Sequence, residues 1–131
     1  MAEEKKADTN KKILIVEDDK TFLWILKQSF VSEGITVLTA EDGEMGLYMA
    51  ENEKPDLILL DILVPKMDGI EVAKELKKIG NKAQVVFLTN LKDAEHISEA
   101  MSAVKETDYI VKSDSHIDTI VKMVKGKLGV K

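Results

Sequence analysis

The sequence predicts an α/β fold in which a parallel β-sheet carries helices on both faces. Short segments of Val, Ile and Leu alternate along the chain with amphipathic stretches at helical spacing. The apolar segments contain almost no polar residues, which is typical of strands that are buried on both faces. Repeated alternation of this kind predicts right-handed crossovers between parallel strands.

Five segments have the composition of buried strands: Ile13–Val16, Ile35–Leu38, Leu57–Leu60, Val85–Leu88 and Tyr109–Val111. The intervening segments repeat their apolar residues at the spacing of one helix face. Four such stripes are Phe22/Ile25/Leu26/Phe30, Val72/Leu76/Ile79, Ile97/Met101/Val104 and Ile117/Ile120/Val121/Val124, and Glu44–Asn52 has a weaker helical pattern. Gly34 and Gly80 lie where the helices before them would end.

Length and composition narrow the possible classes of protein. At 131 residues, the chain fits one domain and we expect no separate output domain. Residues 1–10 are mostly charged or polar, so we expect a mobile tail before a folded domain over residues 11–131. The absence of cysteine excludes disulfides and thiolate metal sites.

Charge and hydropathy also limit the partners. The net charge of −5 disfavours direct binding of nucleic acid, which needs a basic surface to neutralise phosphates. No apolar run approaches the ~20 residues that span a membrane, and the first residues lack the apolar core of a signal peptide. We therefore expect a cytoplasmic protein without membrane insertion.

Polar residues follow four of the five predicted strands. They are Glu17, Asp18 and Asp19 after the first strand, Asp61 after the third, Thr89 after the fourth and Lys112 after the fifth. Because parallel strands end at one edge of their sheet, these residues should gather where ligands of α/β proteins bind. Crowded carboxylates repel unless a cation or a proton intervenes, and Mg2+ prefers such oxygen ligands. The set suits phosphoryl transfer, with Asp61 as nucleophile, Thr89 as a hydroxyl donor and Lys112 as a compact positive charge.

Each of these residues also has a purely structural explanation. An acidic run between a strand and a helix commonly caps the helix, and Asp19 suits that role, which leaves Glu17 and Asp18 for a metal. A strand-end aspartate such as Asp61 can simply start a turn. It is the joint placement of the residues that favours a site.

From Lys12 to about Leu128, the sequence resembles response-regulator receiver domains. The matching stretches are ILIVEDD at residues 13–19, DLILLDILVPKMDG at 56–69, VVFLT at 85–89 and DYIVK at 108–112. The resemblance implies a flavodoxin-like, doubly wound, five-stranded parallel sheet in the order 2-1-3-4-5 with five flanking helices. It also implies that a sensor histidine kinase or a histidine phosphotransfer protein donates the phosphoryl group, and that the phosphorylated chain acts on a downstream protein target.

The resemblance assigns roles to individual residues. Glu17, Asp18, Asp61 and the backbone carbonyl of Leu63 match the family's Mg2+ ligands, and Asp61 also matches its phosphoacceptor. Thr89 and Lys112 match the residues that contact the phosphoryl group, and Tyr109 matches the aromatic residue that is coupled to Thr89 on activation. Such a chain catalyses its own phosphorylation and slow dephosphorylation, without being a classical turnover enzyme.

In this family, the phosphodonor typically docks on the first helix. Leu23 and Trp24 lie outside the predicted core stripe of that helix, which predicts an exposed apolar patch. The alternative is that Trp24 packs under the tail or against a neighbouring helix.

The chain departs from the family pattern at several positions. Ser113 stands where a proline usually follows the lysine, Asn90 replaces a small residue, and residues 105–107 replace a glycine-containing turn. The Lys112–Ser113 peptide bond is therefore either trans with a reshaped loop or a strained cis bond, which costs about 3–4 kcal/mol. In the family, the positions of Leu63 and Leu91 flank the route of water to the acyl phosphate. Apolar residues at both positions predict slow self-dephosphorylation.

Rival functions fit parts of the sequence. A haloacid-dehalogenase-type phosphatase also uses an aspartate nucleophile and Mg2+, but Leu63 stands where that family has its second aspartate. The chain contains no P-loop motif. A receiver-like interaction module that is not phosphorylated is the alternative that Ser113 and Asn90 leave open.

Overall fold

A computed structural model describes residues 6–89, 102, 108–112 and 116–131. Its strands are β1 Lys12–Val16, β2 Thr36–Ala40, β3 Leu57–Asp61, β4 Gln84–Thr89 and β5 Asp108–Val111. Within these ranges its helices are α1 Lys20–Ser32, α2 Gly43–Glu53, α3 Gly69–Lys78 and α4 Ile117–Leu128. The further helix that the sequence predicts around Ile97, Met101 and Val104 falls outside the described residues.

The five strands form one parallel sheet in the order β2-β1-β3-β4-β5, which confirms the predicted fold class. The register places Val16 beside Leu60 and Thr89 beside Val111. The carboxyl ends of β1, β3, β4 and β5 therefore lie at the same edge. Asp61 and Thr89 are the last residues of β3 and β4, while Glu17 and Lys112 follow β1 and β5.

The core consists of two apolar layers, one on each face of the sheet. Ile13 and Ile15 of β1 belong to the layer covered by α1 and α4, while Leu14 and Val16 belong to the layer covered by α2 and α3. Successive side chains of a strand point to opposite faces, so an unbroken apolar strand supplies both layers. Full burial of one such side chain contributes roughly 1.5–3 kcal/mol.

The face that α1 buries differs from the predicted stripe. Leu23, Leu26 and Phe30 are buried, Phe22 is half-buried, and Ile25 is 37% exposed. Trp24 is 63% exposed, so the apolar patch on this helix contains Trp24 and Ile25 and excludes Leu23. The alternative in which Trp24 packs under a neighbouring element was wrong.

Residues 6–10, the described part of the predicted tail, lie beside the turn between α1 and β2. The backbone N–H of Lys6 donates to the carbonyl of Ser32 at 3.0 Å, and the N–H and hydroxyl of Thr9 donate to the carbonyl of Gly34 at 3.0 and 2.9 Å. Gly34 has φ 79°, and a Cβ there would lie 2.1 Å from the carbonyl oxygen of Ala7. These contacts hold the segment against the domain, and its mobility in solution stays a prediction.

Candidate functional site

Four strand ends bring the predicted site residues together. Glu17 and Thr89 are fully buried, and Asp61 is 6% exposed, whereas Asp18 is exposed. One carboxylate oxygen from each of Glu17, Asp18 and Asp61 can be chosen so that all three lie within 4.8 Å of one another. Carboxylates at this spacing repel each other strongly unless positive charge lies between them.

Lys112 supplies positive charge to this cluster from the end of β5. Its Nζ lies 2.5 Å from Oε1 of Glu17 and donates a hydrogen bond of 2.7 Å to Oδ2 of Asp61. The Lys112 side chain is 17% exposed, so water screens these ion pairs only partly. One ammonium thus faces two buried carboxylates.

Backbone N–H groups fix the two buried carboxylates in place. Oδ1 of Asp61 accepts from the N–H of Leu63 at 3.1 Å, and Oε2 of Glu17 accepts from the N–H of Asp19 at 3.0 Å. Oδ1 of Asp19 accepts from the N–H groups of Thr21 and Phe22 at the start of α1. Asp19 is therefore the predicted helix cap, and the acidic oxygens of Glu17 and Asp18 remain for other ligands.

Gly69 is a site residue to which sequence reasoning assigned no role. A Cβ at this position would lie 2.3 Å from the backbone oxygen of Asp61, and the Gly69 N–H donates to the carbonyl of Ile62 at 2.8 Å. The start of α3 thus packs directly on the backbone that carries Asp61. The sequence signal was present as Asp68-Gly69 before an amphipathic stretch, with Asp68 as the cap of α3.

The charges of the site are incompletely balanced. Burial raises the pKa of Glu17 to about 7, although contact with the Lys112 ammonium and the N–H of Asp19 oppose this shift. For Lys112, burial acts to lower the pKa, but the contacts with Asp61 and Glu17 outweigh it and the pKa is raised.

One oxygen of Glu17 indicates what the cluster lacks. Among the described residues, Oε1 of Glu17 has no partner in hydrogen-bond geometry, although Lys112 lies in ion-pair contact with it. A buried carboxylate oxygen without a full set of partners is costly. The all-oxygen donor set fits Mg2+, which binds carboxylates at such sites, and the buried Oε1 of Glu17 has an ion-pair contact without hydrogen-bond geometry.

Two of the remaining predicted residues, Leu63 and Tyr109, are described and exposed. Leu63, two residues after the end of β3, is 48% exposed, and Tyr109 on β5, two residues before the Cα partner of Thr89, is 43% exposed. Asn90, Leu91, Ser113 and residues 105–107 fall outside the described ranges. The Lys112–Ser113 peptide bond and the route of water past Leu91 therefore stay predictions.

The family model described as the response regulator receiver domain matches residues 13–125 of this chain. The chain belongs to the response-regulator receiver domain family. It is accordingly a receiver domain of the two-component response-regulator type, and a phosphoacceptor role is consistent with its site.

Two curated relatives from Bacillus subtilis (strain 168) illustrate the range of the family. The chain is 39% identical to the alkaline phosphatase synthesis transcriptional regulatory protein PhoP over 88% of its own length, but it spans only 48% of that relative. It is 35% identical to sporulation initiation phosphotransferase F, over 93% of this receiver chain and 97% of the relative. The chain thus spans about half of the first relative and nearly all of the second.

Solved structures share the fold. A CheY-like response regulator receiver domain protein from Methanospirillum hungatei JF-1 has a TM-score of 0.82 at 31% identity, over 91% of this chain and 94% of that one. Within the described part of this receiver, no helix is long and apolar enough to cross a membrane.

Proposed function

We propose that this receiver is a Mg2+-dependent phosphoacceptor in a two-component phosphorelay, in which Asp61 takes a phosphoryl group from a phosphohistidine donor. The observation that carries the proposal is the cluster of carboxylate oxygens from Glu17, Asp18 and Asp61 within 4.8 Å, with Lys112 Nζ 2.7 Å from Asp61. A structural turn or cap requires no such convergence of three acids and a lysine.

The residues of the chain divide the work of the transfer. An oxygen of Asp61 attacks phosphorus as the bond from phosphorus to the histidine nitrogen breaks, which leaves an acyl phosphate and a free imidazole. The N–H of Leu63 orients the Asp61 carboxylate through Oδ1. Lys112 exchanges its hydrogen bond with Asp61 for one with a phosphoryl oxygen, and the Thr89 hydroxyl donates to another.

The acidic residues would hold the metal ion. Glu17, Asp18, Asp61 and the carbonyl of Leu63 are the proposed ligands of Mg2+, which when bound neutralises the negative charge of the carboxylates and the phosphoryl oxygens. The ion would also complete the environment of the buried Oε1 of Glu17.

The proposed partners follow from this chemistry. A sensor histidine kinase or a histidine phosphotransfer protein supplies the phosphoryl group in the cytoplasm, and phosphorylation biases a two-state equilibrium of the Thr89 and Tyr109 surface. That surface then binds a downstream protein target.

Incubation with Mg2+ and acetyl phosphate, followed by intact-mass measurement, tests the proposal. The native chain should gain one phosphoryl group, and Asp61→Asn should gain none. Asp118→Asn is the matched control, because Asp118 is an exposed carboxylate on α4. A native chain that gains nothing, or an Asp61→Asn chain that gains as much as the control, would support the interaction module that is not phosphorylated.

The lifetime of the acyl phosphate is a separate part of the proposal. By their resemblance to the family, positions 63 and 91 flank the route of water to the acyl phosphate, and both are leucine in this chain, so we expect slow hydrolysis. The phosphate should persist longer on the native chain than on a Leu63→Asn/Leu91→Glu variant. Equal decay in the two chains would contradict a role for these leucines.

A further inference from the structure

The Lys112 ammonium has an aromatic neighbour as well as its two carboxylates. Its Nζ lies 5.3 Å from the centroid of the Phe22 ring. A cation within about 6 Å of a ring face is attracted by the negative charge of that face. Among the described residues, Phe22 is thus an uncharged neighbour of Lys112.

The position of the ring is tied to the acidic cluster. The Phe22 N–H donates to Oδ1 of Asp19 at 3.1 Å, and the Asp19 N–H donates to Oε2 of Glu17 at 3.0 Å. The half-buried ring also packs against the core layer beneath α1 and α4. The backbone of Phe22 is thus linked through Asp19 to Glu17, which Lys112 contacts, and core packing fixes the ring.

We propose that Phe22 is a positioning residue for Lys112 during phosphoryl transfer, and this inference rests on the proposed function. Transfer converts the Asp61 carboxylate, which accepts a hydrogen bond from Lys112 at Oδ2, into an acyl phosphate, so the negative charge that attracts Lys112 moves to the phosphoryl oxygens. The Phe22 ring keeps its place and carries no formal charge. It therefore steadies the ammonium at the site without neutralising the positive charge that the phosphoryl oxygens require.

Ordinary core packing is the competing explanation for Phe22. A residue that only fills space can be replaced by another apolar side chain of similar volume with a small effect. A ring that attracts a cation through its face depends on its electron density instead. Substitutions that change the electron density and keep the shape separate the two explanations.

The experiment measures the rate of Asp61 phosphorylation by acetyl phosphate with Mg2+, for Phe22→Leu, Phe22→Tyr and a chain with 3,4,5-trifluorophenylalanine at position 22. Phe22→Leu should slow the reaction about fivefold, and the fluorinated ring should slow it severalfold at an unchanged melting temperature. Phe22→Tyr, which keeps the ring face, should react at close to the native rate.

Fluorination of Phe30 is the matched control. Phe30 is fully buried in the same core layer, and the same substitution there should leave the rate unchanged. A native rate for the chain fluorinated at position 22, with Asp61→Asn still inactive, overturns the positioning role alone. A native chain that takes up no phosphoryl group overturns the proposed function together with this inference.

Discussion

At the scale of single residues, Lys112 determines whether the buried acids of the site are compensated. Its Nζ is within 2.7 Å of an oxygen of both Glu17 and Asp61, whose side chains are 1% and 9% exposed. Removing one partner of a buried ion pair leaves an uncompensated charge, which costs more than the pair contributes when intact. The folded receiver therefore depends on a cation at this position when Mg2+ is absent.

Lys112→Met should destabilise the metal-free receiver by about 2 kcal/mol, below the roughly 3–5 kcal/mol of a fully buried pair because the lysine is partly exposed. Added Mg2+ should stabilise this variant more than the native chain, since the ion then supplies the missing positive charge. Urea unfolding with and without Mg2+ measures both effects. Lys82→Met removes an exposed lysine as the control, and equal losses in the two variants would contradict the argument.

A second prediction at this scale concerns Gly69, where the start of α3 packs on the backbone of Asp61. Gly69→Ala places a Cβ 2.3 Å from the Asp61 oxygen and should lower the free energy of unfolding by about 1–3 kcal/mol. It should also slow phosphorylation, since the loop must shift. Gly126→Ala is the control on α4: a Cβ there meets nothing within 4 Å, and we expect stabilisation of about 0.5–1 kcal/mol. Equal effects on unfolding would show that the close approach is unimportant.

At the scale of elements, α1 shows what the sequence alone does not determine. Residues 22–26 are all apolar, so spacing does not select the buried face from this stretch. The structure buries Leu23 and leaves Ile25 partly exposed, because the cap at Asp19 and the docking of α1 on the sheet set the rotation of the helix. In α3, Val72 and Leu76 are buried as predicted, whereas Ile79 follows the helix and is exposed.

Glu33 connects three elements at the far end of α1. Its Oε1 lies 2.8 Å from Nζ of Lys6 and is also in contact with Nζ of Lys125 on α4. The contact with Lys125, followed by that with Lys6, lowers the pKa of Glu33. An acid whose pKa is lowered by folding stabilises the folded state at a pH above its unfolded pKa, and this contribution is lost as the pH falls through the folded pKa.

Glu33→Gln should therefore cost about 0.5–1 kcal/mol at neutral pH, and the difference from the native chain should shrink as the pH falls below 4.5, the ordinary pKa of the group. Urea unfolding at a series of pH values measures this difference. Glu75→Gln removes one partner of the more exposed pair with Lys78 and should have a smaller effect at every pH. A difference between Glu33→Gln and the native chain that does not depend on pH would contradict the ion-pair explanation.

At the scale of the whole molecule, strand alternation predicted both the sheet and the edge where the site lies. Glu17, Asp61, Thr89 and Lys112 could be proposed together because a parallel sheet brings the ends of its strands to one edge, whatever the details of packing. The contact of Lys112 with Phe22 was not predicted, because it depends on the rotation of α1 and on the reach of a long side chain. The sequence pattern thus predicts the packing of helices and strands more accurately than it predicts individual side-chain contacts.

Two exposed aromatic residues lie on opposite sides of the sheet. One can therefore serve as the control for the other in a test of partner docking. Trp24 on α1 and Tyr48 on α2 are each 63% exposed, on helices that cover opposite faces. If the phosphodonor protein docks on α1, Trp24→Ala should slow phosphotransfer from it by about tenfold, because large aromatic side chains dominate interface energies.

Phosphotransfer from purified, autophosphorylated histidine kinases of the host measures this effect, with acetyl phosphate as the small donor. Trp24→Ala should leave phosphorylation by acetyl phosphate unchanged, because Trp24 is exposed and lines a surface groove with Gln28 and Asp118, away from the acidic residues of the site. Tyr48→Ala should leave both reactions unchanged. A loss with the kinase that is equal in the two variants would argue against docking on α1. A loss with acetyl phosphate for Trp24→Ala would place its effect in the site itself, because this reaction involves no protein partner.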